Sequence, residues 1–286
     1  MKKMTKILAF VLSAAMLLSL TACGSFESRL AKAVKKMNDV QNMHMDMNMD
    51  LAIGISLLGE SMDMEMDMDL GMDIQKEPMI TKMDATLSML GETEHVLSYI
   101  EKNGDDFVMY TSDNGGGSWS RQEMSAGELP SQAALGADSL QMFLDCAKNF
   151  EEVGEESVLG SAATRYDGTI NGEYVAEAME MTGAWEMLQE SLGADFDASG
   201  LGDMGDIPTS LWIDKKSGMI TRYDMDMTEI MNALTAELMD AVMAENGLSG
   251  LGLDVGMEIS HVTVSAVLSN FNGVGEIVIP DAAKAA

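Results

Sequence analysis

Proline and cysteine are scarce in this chain of 286 residues, which has four of the first and two of the second. The cysteines are Cys23 and Cys146, and if Cys23 is spent on a modification no internal disulfide is possible. The folded part must then stand on its own hydrophobic core. Histidine is nearly as rare. His44, His95 and His261 lie far apart, with no metal-ligand spacing to a cysteine or to each other, which excludes a zinc motif. The chain also lacks a nucleophile elbow, a phosphate-binding loop and a dinucleotide fingerprint. Acids are too abundant for any one carboxylate pair to stand out as catalytic, so the expectation is a protein that is not an enzyme, with no catalytic residues and no cofactor. After residue 23 no stretch is rich enough in Pro, Ser or Gly to serve as a linker, which points to one domain.

Positive charge is the other shortage. Lys and Arg number 17 against 47 Asp and Glu. Three of those lysines, Lys2, Lys3 and Lys6, precede an apolar run from Ile7 to Leu20 that ends in Leu20-Thr21-Ala22-Cys23-Gly24-Ser25. This is the form of a secretory signal peptide, too short and wrongly flanked to span a membrane. Its end is a lipobox, Leu-small-Ala-Cys. Residues 1–22 are expected to be cleaved and the Cys23 thiol to carry a diacylglycerol, which places the protein on the outer side of the cell membrane, at the cell surface or in a periplasm. Fourteen basic residues then face 47 acids, a net charge of −33. That balance excludes nucleic acid as a partner and sets the body of the chain against anionic head groups. At 47% hydrophobic the chain is far from the disordered class.

Methionine is what the chain has in excess, 30 residues of it. Phe26, Leu30, Ala33, Val34 and Met37 give one apolar face on a basic helix over 26–41. Period 2 follows: odd positions 43–57 are Met, Met, Met, Met, Leu, Ile, Ile, Leu, and after a turn at 59–61 the apolar set moves to even positions from Met62 to Ile74. Such strands reach roughly 50 Å at about 3.3 Å per residue, which makes them twist and curl. Further strands are expected at 79–89, 94–102, 106–111, around Trp119, 151–158 and 162–170. Helices are expected at 139–150, where Cys146 would be a buried, inert thiol, and at 173–192, and a Gly/Asp loop over 194–206. Two alternating runs flanking Lys215-Lys216-Ser217-Gly218 read as a hairpin, followed by a helix over 228–246 and a last strand from Met257 to Phe271 ending near Glu276–Pro280. The fold class is α+β: a curved antiparallel sheet of long strands packed against helices.

The lipobox, the amphipathic first helix, the long meandering strands, Leu211-Trp212-Ile213-Asp214 turning through Lys215–Gly218, and the closing Glu276-Ile277-Val278-Ile279-Pro280 resemble the LolA/LolB and LppX/LprG superfamily of bacterial lipoprotein carriers and lipid-binding lipoproteins. The resemblance implies a half-barrel of antiparallel strands closed by helices, with a hydrophobic cavity between them. It spans one domain, 23–281, with a helical insert at 228–252 and a short tail, 282–286.

The methionine face admits several uses. Thioether sulfur suits Cu(I), but same-face residues of a strand stand about 6.6 Å apart and His44 points away from Met43 and Met45. The acid row Asp63, Glu65, Asp67 and Asp69 lacks the spaced loop of a calcium site and reads as a solvated face, so no metal ligand is assigned. A plain core explains burial but not the choice of a flexible, polarizable residue, which suits a variable hydrophobic guest. Met45, Met47, Met49, Met62, Met64, Met66, Met68 and Met72 are therefore the candidate lining of an apolar groove for a lipid or other hydrophobic molecule. A surface sensor with a solid core is the alternative.

Overall fold

The computed structural model describes residues 26–57, 60–125, 146–172, 205–245 and 255–286; the leader with Cys23, residues 139–145 of the expected helix 139–150, the expected helix at 173–192 and all but the last two residues of the expected loop at 194–206 lie outside them. Helix α1 (Phe26–Asn38) has Glu27 in its first turn and Lys35 and Lys36 in its last, charges that suit the helix dipole. The strands among the described residues are β1 (Asn42–Leu57), β2 (Glu60–Gln75), β3 (Ile80–Met89), β4 (Glu92–Asn103), β5 (Asp106–Ser112), β6 (Ser120–Met124), β7 (Ala147–Val158), β8 (Ser161–Ile170), β9 (Ile207–Asp214), β10 (Ile220–Asp226) and β11 (Val255–Ser269). Helix α2 (Thr228–Glu245) precedes β11, and α3 (Asp281–Lys284) ends the chain.

All of these strands form one open, curved antiparallel sheet in the order β6-β5-β4-β3-β2-β1-β11-β10-β9-β8-β7. The half-barrel expected from the sequence is the architecture observed. Two meanders are joined at the centre by β11, which enters between β1 and β10. α1 lies across the inner face. Leu30, Ala33 and Val34 pack on Tyr166, Leu211, Ile213 and Ile220, and Met37 reaches the bases of β1 and β2 at Met45 and Met72. Full burial of a side chain such as Leu30 contributes about 1.5–3 kcal/mol, and Leu30 is 1% exposed.

Two readings are corrected by the structure. The stretch 147–150, expected as the end of a helix, opens β7 instead. Opposite it the β8 register skips from Lys148↔Thr169 to Glu151↔Asp167, a bulge that sets Asn149 and Phe150 against Gly168. The extra residue puts Ala147 and Phe150 on one side, and their spacing of three imitates a helix. A Cβ on Gly168 would stand 2.5 Å from the Phe150 ring, so glycine is what lets Phe150 turn inward to stack on Phe26 at 4.5 Å. The closing strand is the second correction: β11 stops at Ser269, and 274–280 joins no ladder. Asn270 and Asn272, at φ of +50° and +56°, turn the chain out of the ladder, with Gly273 N donating to Asn270 O at 2.7 Å. Ile277, Ile279 and Ala283 pack face-on against Tyr99, Val108 and Tyr110 on the outer side of the sheet.

Candidate functional site: a methionine face graded from closed to open

The two 16-residue strands β1 and β2 pair without a slip from Asn42↔Gln75 to Leu57↔Glu60. Because the side-chain period is 2, that register places odd residues of β1 and even residues of β2 on the same face. The neighbouring ladders extend the match into apolar rungs across the sheet. One runs Met225, Val264, Met49, Met68, Leu87 through β10, β11, β1, β2 and β3; the next toward the hairpin end runs Val262, Leu51, Met66, Met89.

Burial along this face changes from one end to the other. At the base, under α1, Met45 is 1% and Met72 0% exposed, packed with Met37, Leu70, Ile74 and Leu268. Met47 joins that cluster half-buried. Farther along, Met49, Met64, Met66 and Met68 are half-buried with Leu51, Ile53 and Ile55, and at the end Met62, 54% exposed, and Met257, at 40%, flank Ile55 on one rung. The eight candidate methionines thus share one face, but Met45 and Met72 are packed core and the others form a more open extension of it.

Where the β10 ladder ends at Asp226↔Thr263, α2 takes over the edge of β11. The Val262 N–H donates to Thr228 Oγ1 at 3.0 Å, and the Asn232 side chain both accepts from Ile259 N at 2.8 Å and donates to Ile259 O at 2.6 Å. A helix covering a strand edge normally leaves the edge's polar groups unpaired, and Asn232 supplies the missing partners. Ile230 and Leu234 of α2 pack on Ile170 and Ile207, with half-buried Cys146 and Phe150 alongside.

The outer face carries the acids. The register sets Asp46 against Gly71, Asp63 against Gly54, Glu65 against Ala52, Asp69 against Asn48 and Asp73 against His44, so Asp50↔Asp67 is the single direct acid-acid pair of the β1–β2 ladder. Each histidine sits beside an aspartate: His44 Nδ1 is 2.7 Å from Asp73 and its Nε2 3.0 Å from Asp46, His95 Nε2 is 2.5 Å from Asp84, and His261 Nε2 is 2.8 Å from Asp50. Burial pulls the His44 pKa down, but the two carboxylates outweigh it and hold it above its ordinary value. Among the described residues no group of three or more His, Cys, Asp or Glu could hold a metal ion, and no helix is long and apolar enough to cross a membrane.

The Leu211–Asp214 segment is structural. Leu211 and Ile213 face α1, while Trp212 lies between the guanidinium groups of Arg165 and Arg222, at 5.2 and 4.7 Å, and donates to Glu156 at 2.9 Å. Asp214 closes the β9–β10 turn, accepting from Ser161 Oγ, from Lys216 N at 3.0 Å, and from Ser217 N and Oγ at 2.5 and 2.8 Å. Its burial raises the carboxyl pKa; these donors overcome that and hold it below the usual range.

The model of a family of unknown function, DUF6612, matches residues 25–286. A search of curated proteins returns no match. Among solved structures, the chain is similar to the Mycobacterium tuberculosis lipoprotein LppX at 13% identity, over 88% of this chain and 97% of that one, with a TM-score of 0.49. It is similar also to LprF from Mycobacterium bovis at 16% identity, over 90% of this chain and 96% of that one, with a TM-score of 0.45.

Proposed function

We propose that this chain, which belongs to the DUF6612 family, is a lipid-anchored extracytoplasmic binding protein, not an enzyme, that holds a hydrophobic ligand against the open end of its methionine face. The observation that carries the reading is the burial gradient. A sheet face built only as a core would be closed along its whole length, whereas here the apolar rungs continue past α1 with Met49, Met64, Met66 and Met68 half-buried and Met62 at 54% exposure. Continuous apolar surface of this kind marks a binding surface. Methionine suits it because an unbranched thioether chain adapts to a guest of variable shape. Met45 and Met72 form the rigid floor from which the groove starts.

Native mass spectrometry of the mature chain, residues 23–286, tests the ligand. Copurifying lipid or other apolar mass is expected, together with saturable uptake of a fluorescent fatty probe. A clean apo mass, no probe uptake and a bound protein partner would replace the carrier with a sensor. The anchor has its own test. Cys23→Ser should leave unprocessed precursor, and a mutant that still incorporates labelled lipid as a mature form would remove Cys23 from the reading.

A further inference from the structure

We propose that a basic cleft beside α1 seats the phosphate head groups of anionic lipids and so orients the protein on the membrane that holds its anchor. The cleft, about 550 Å³, lies between α1, β8, β9 and the β9–β10 turn, and Arg29, Lys32, Lys35, Lys36 and Lys215 line it. These are five of the fourteen basic residues that follow Cys23 in a chain with 47 acids. Such a concentration in one place reverses the local sign of a strongly acidic molecule.

Two acids share the lining, Asp39 and Asp214. Asp214 is already occupied by four donors of its own turn and strand β8. Arg29 is held by Glu152 and Tyr166, and Lys215 by Glu155. Lys36 donates to the Ser217 carbonyl over Gly218, whose φ of +68° tightens the turn, and a Cβ there would stand 2.7 Å from Lys36 Nζ. Lys32, Lys35 and Lys36 make no ion pair with an acid among the described residues. The floor is apolar, with Ile213 and the ring of Tyr166. Cations over an apolar floor suit a glycerophosphate, with a charged end and a greasy one.

The position favours a lipid over any soluble anion. α1 begins three residues after Cys23, a reach of roughly 10 Å for extended chain, so a lipid on Cys23 holds these cations at the bilayer surface. This part rests on the anchor proposed above. The acidic body opposes the approach, and range decides which effect wins. Screening limits exposed charges to about 8 Å at physiological salt, so the acids that count are those against the cleft; Asp214, Glu152 and Glu155 are already paired there, which leaves Lys32, Lys35 and Lys36 against Asp39. At contact the lysines dominate.

The test is flotation of the mature chain carrying Cys23→Ser, so that no anchor contributes, with phosphatidylcholine vesicles that contain or lack phosphatidylglycerol. Binding is expected only with phosphatidylglycerol and should weaken as salt rises. Lys32 and Lys35 are exposed, so K32E/K35E keeps the fold by circular dichroism and should bind at least about 30-fold more weakly. K32Q/K35Q should fall between, and K82E/R121E, the same charge change elsewhere on the sheet, should bind like the parent. Equal binding to both vesicle types, or a folded K32E/K35E that binds like the parent, overturns the proposal. Inorganic phosphate that displaces the chain from vesicles at low millimolar concentration would give the cleft to a free anion, which also overturns it. A chain that binds phosphatidylglycerol but takes no lipid at Cys23 keeps the cleft and loses the anchor; the reverse result keeps the anchor and loses the cleft.

Discussion

Truncating Met72 and Met66 to alanine separates packed floor from open groove on a single strand. Met72 is 0% exposed and enclosed by Met45, Met37, Leu70 and Met83. Removing its thioether leaves a void that its neighbours fill only in part, so Met72→Ala should cost about 3 kcal/mol, within the usual 2–5 for buried Met to Ala. Met66 is half-buried between Leu51 and Met89, and Met89 is itself 38% exposed. No closed void can form there, and the lost transfer energy is a fraction of a full burial, about 1 kcal/mol or less. The assay is urea denaturation of the mature chain, reading the midpoint at unchanged slope, beside titration with a fluorescent fatty probe. Aspartate sharpens the contrast: Met72→Asp should not fold, because a carboxylate in that cluster has no partner, whereas Met66→Asp should fold and lose the probe. Equal losses from the two alanine variants, with a wild type that takes up no probe, would show that the whole face is core and would refute the groove.

Three further outcomes follow from the described contacts. Asp214→Ala strands the donors of the β9–β10 turn and should cost about 2–4 kcal/mol in the same urea assay; because the folded-state pKa of Asp214 is lowered, its contribution is present above the ordinary value of 3.8 and is lost as pH falls through the lower folded value. His44 has a raised pKa, so its contribution is full below its ordinary 6.5 and is lost as pH rises through the folded value; wild type should be more stable at pH 6 than at pH 8.5, and His44→Gln should reduce that difference, which thermal melts at the two pH values will show. Asp67→Asn relieves the one direct acid-acid pair of the β1–β2 ladder and should raise stability by about 0.2–1 kcal/mol at low salt, with the gain shrinking as salt is added; a loss of stability would mean that Asp67 has a favourable role the ladder does not account for.

The expected turn at 59–61 was too wide, since Glu60 and Ser61 already pair with Leu57 and Ser56, but period 2 over 43–57 and 62–74 left no other structure open to β1 and β2, so the shared methionine face was legible in the sequence. The gradient along it was not. Met45 and Met66 stand in matching alternations, and among the described residues what sets Met45 apart is that α1 crosses the base of the sheet there, at Met37. Phe150 was misread because the bulge opposite Gly168 converts a strand into an apolar spacing of three. The Glu276–Pro280 segment has the composition of a strand, but the turn at Asn270–Gly273 takes it out of the ladder onto the outer face. The basic cleft joins residues 29–36 to Lys215, far apart in the chain, and only the packing of α1 on β8 and β9 reveals it.

The far end of the sheet supports the proposal that the open face is a binding surface. Residues 60–65 of β2 pair with β1 alone, and residues 255–262 of β11 also have β1 as their sole ladder partner among the described residues. Three long strands with two free edges are a template for aggregation. The β11 edge is covered by α2, with Asn232 and Thr228 satisfying its backbone, and the free part of the β2 edge bears Asp63 and Glu65. Both edges are therefore guarded. The apolar face between them, where Ile53, Ile55, Met62, Met64 and Met257 stand half-buried or exposed, has no such protection among the described residues. A sequence that places acids opposite glycine, alanine and asparagine on the other side of these same strands had polar residues available for this side too. Keeping methionine there leaves apolar area in water at roughly 25 cal/mol per Å², a cost that burial against a hydrophobic guest removes and a solid core elsewhere in the molecule does not.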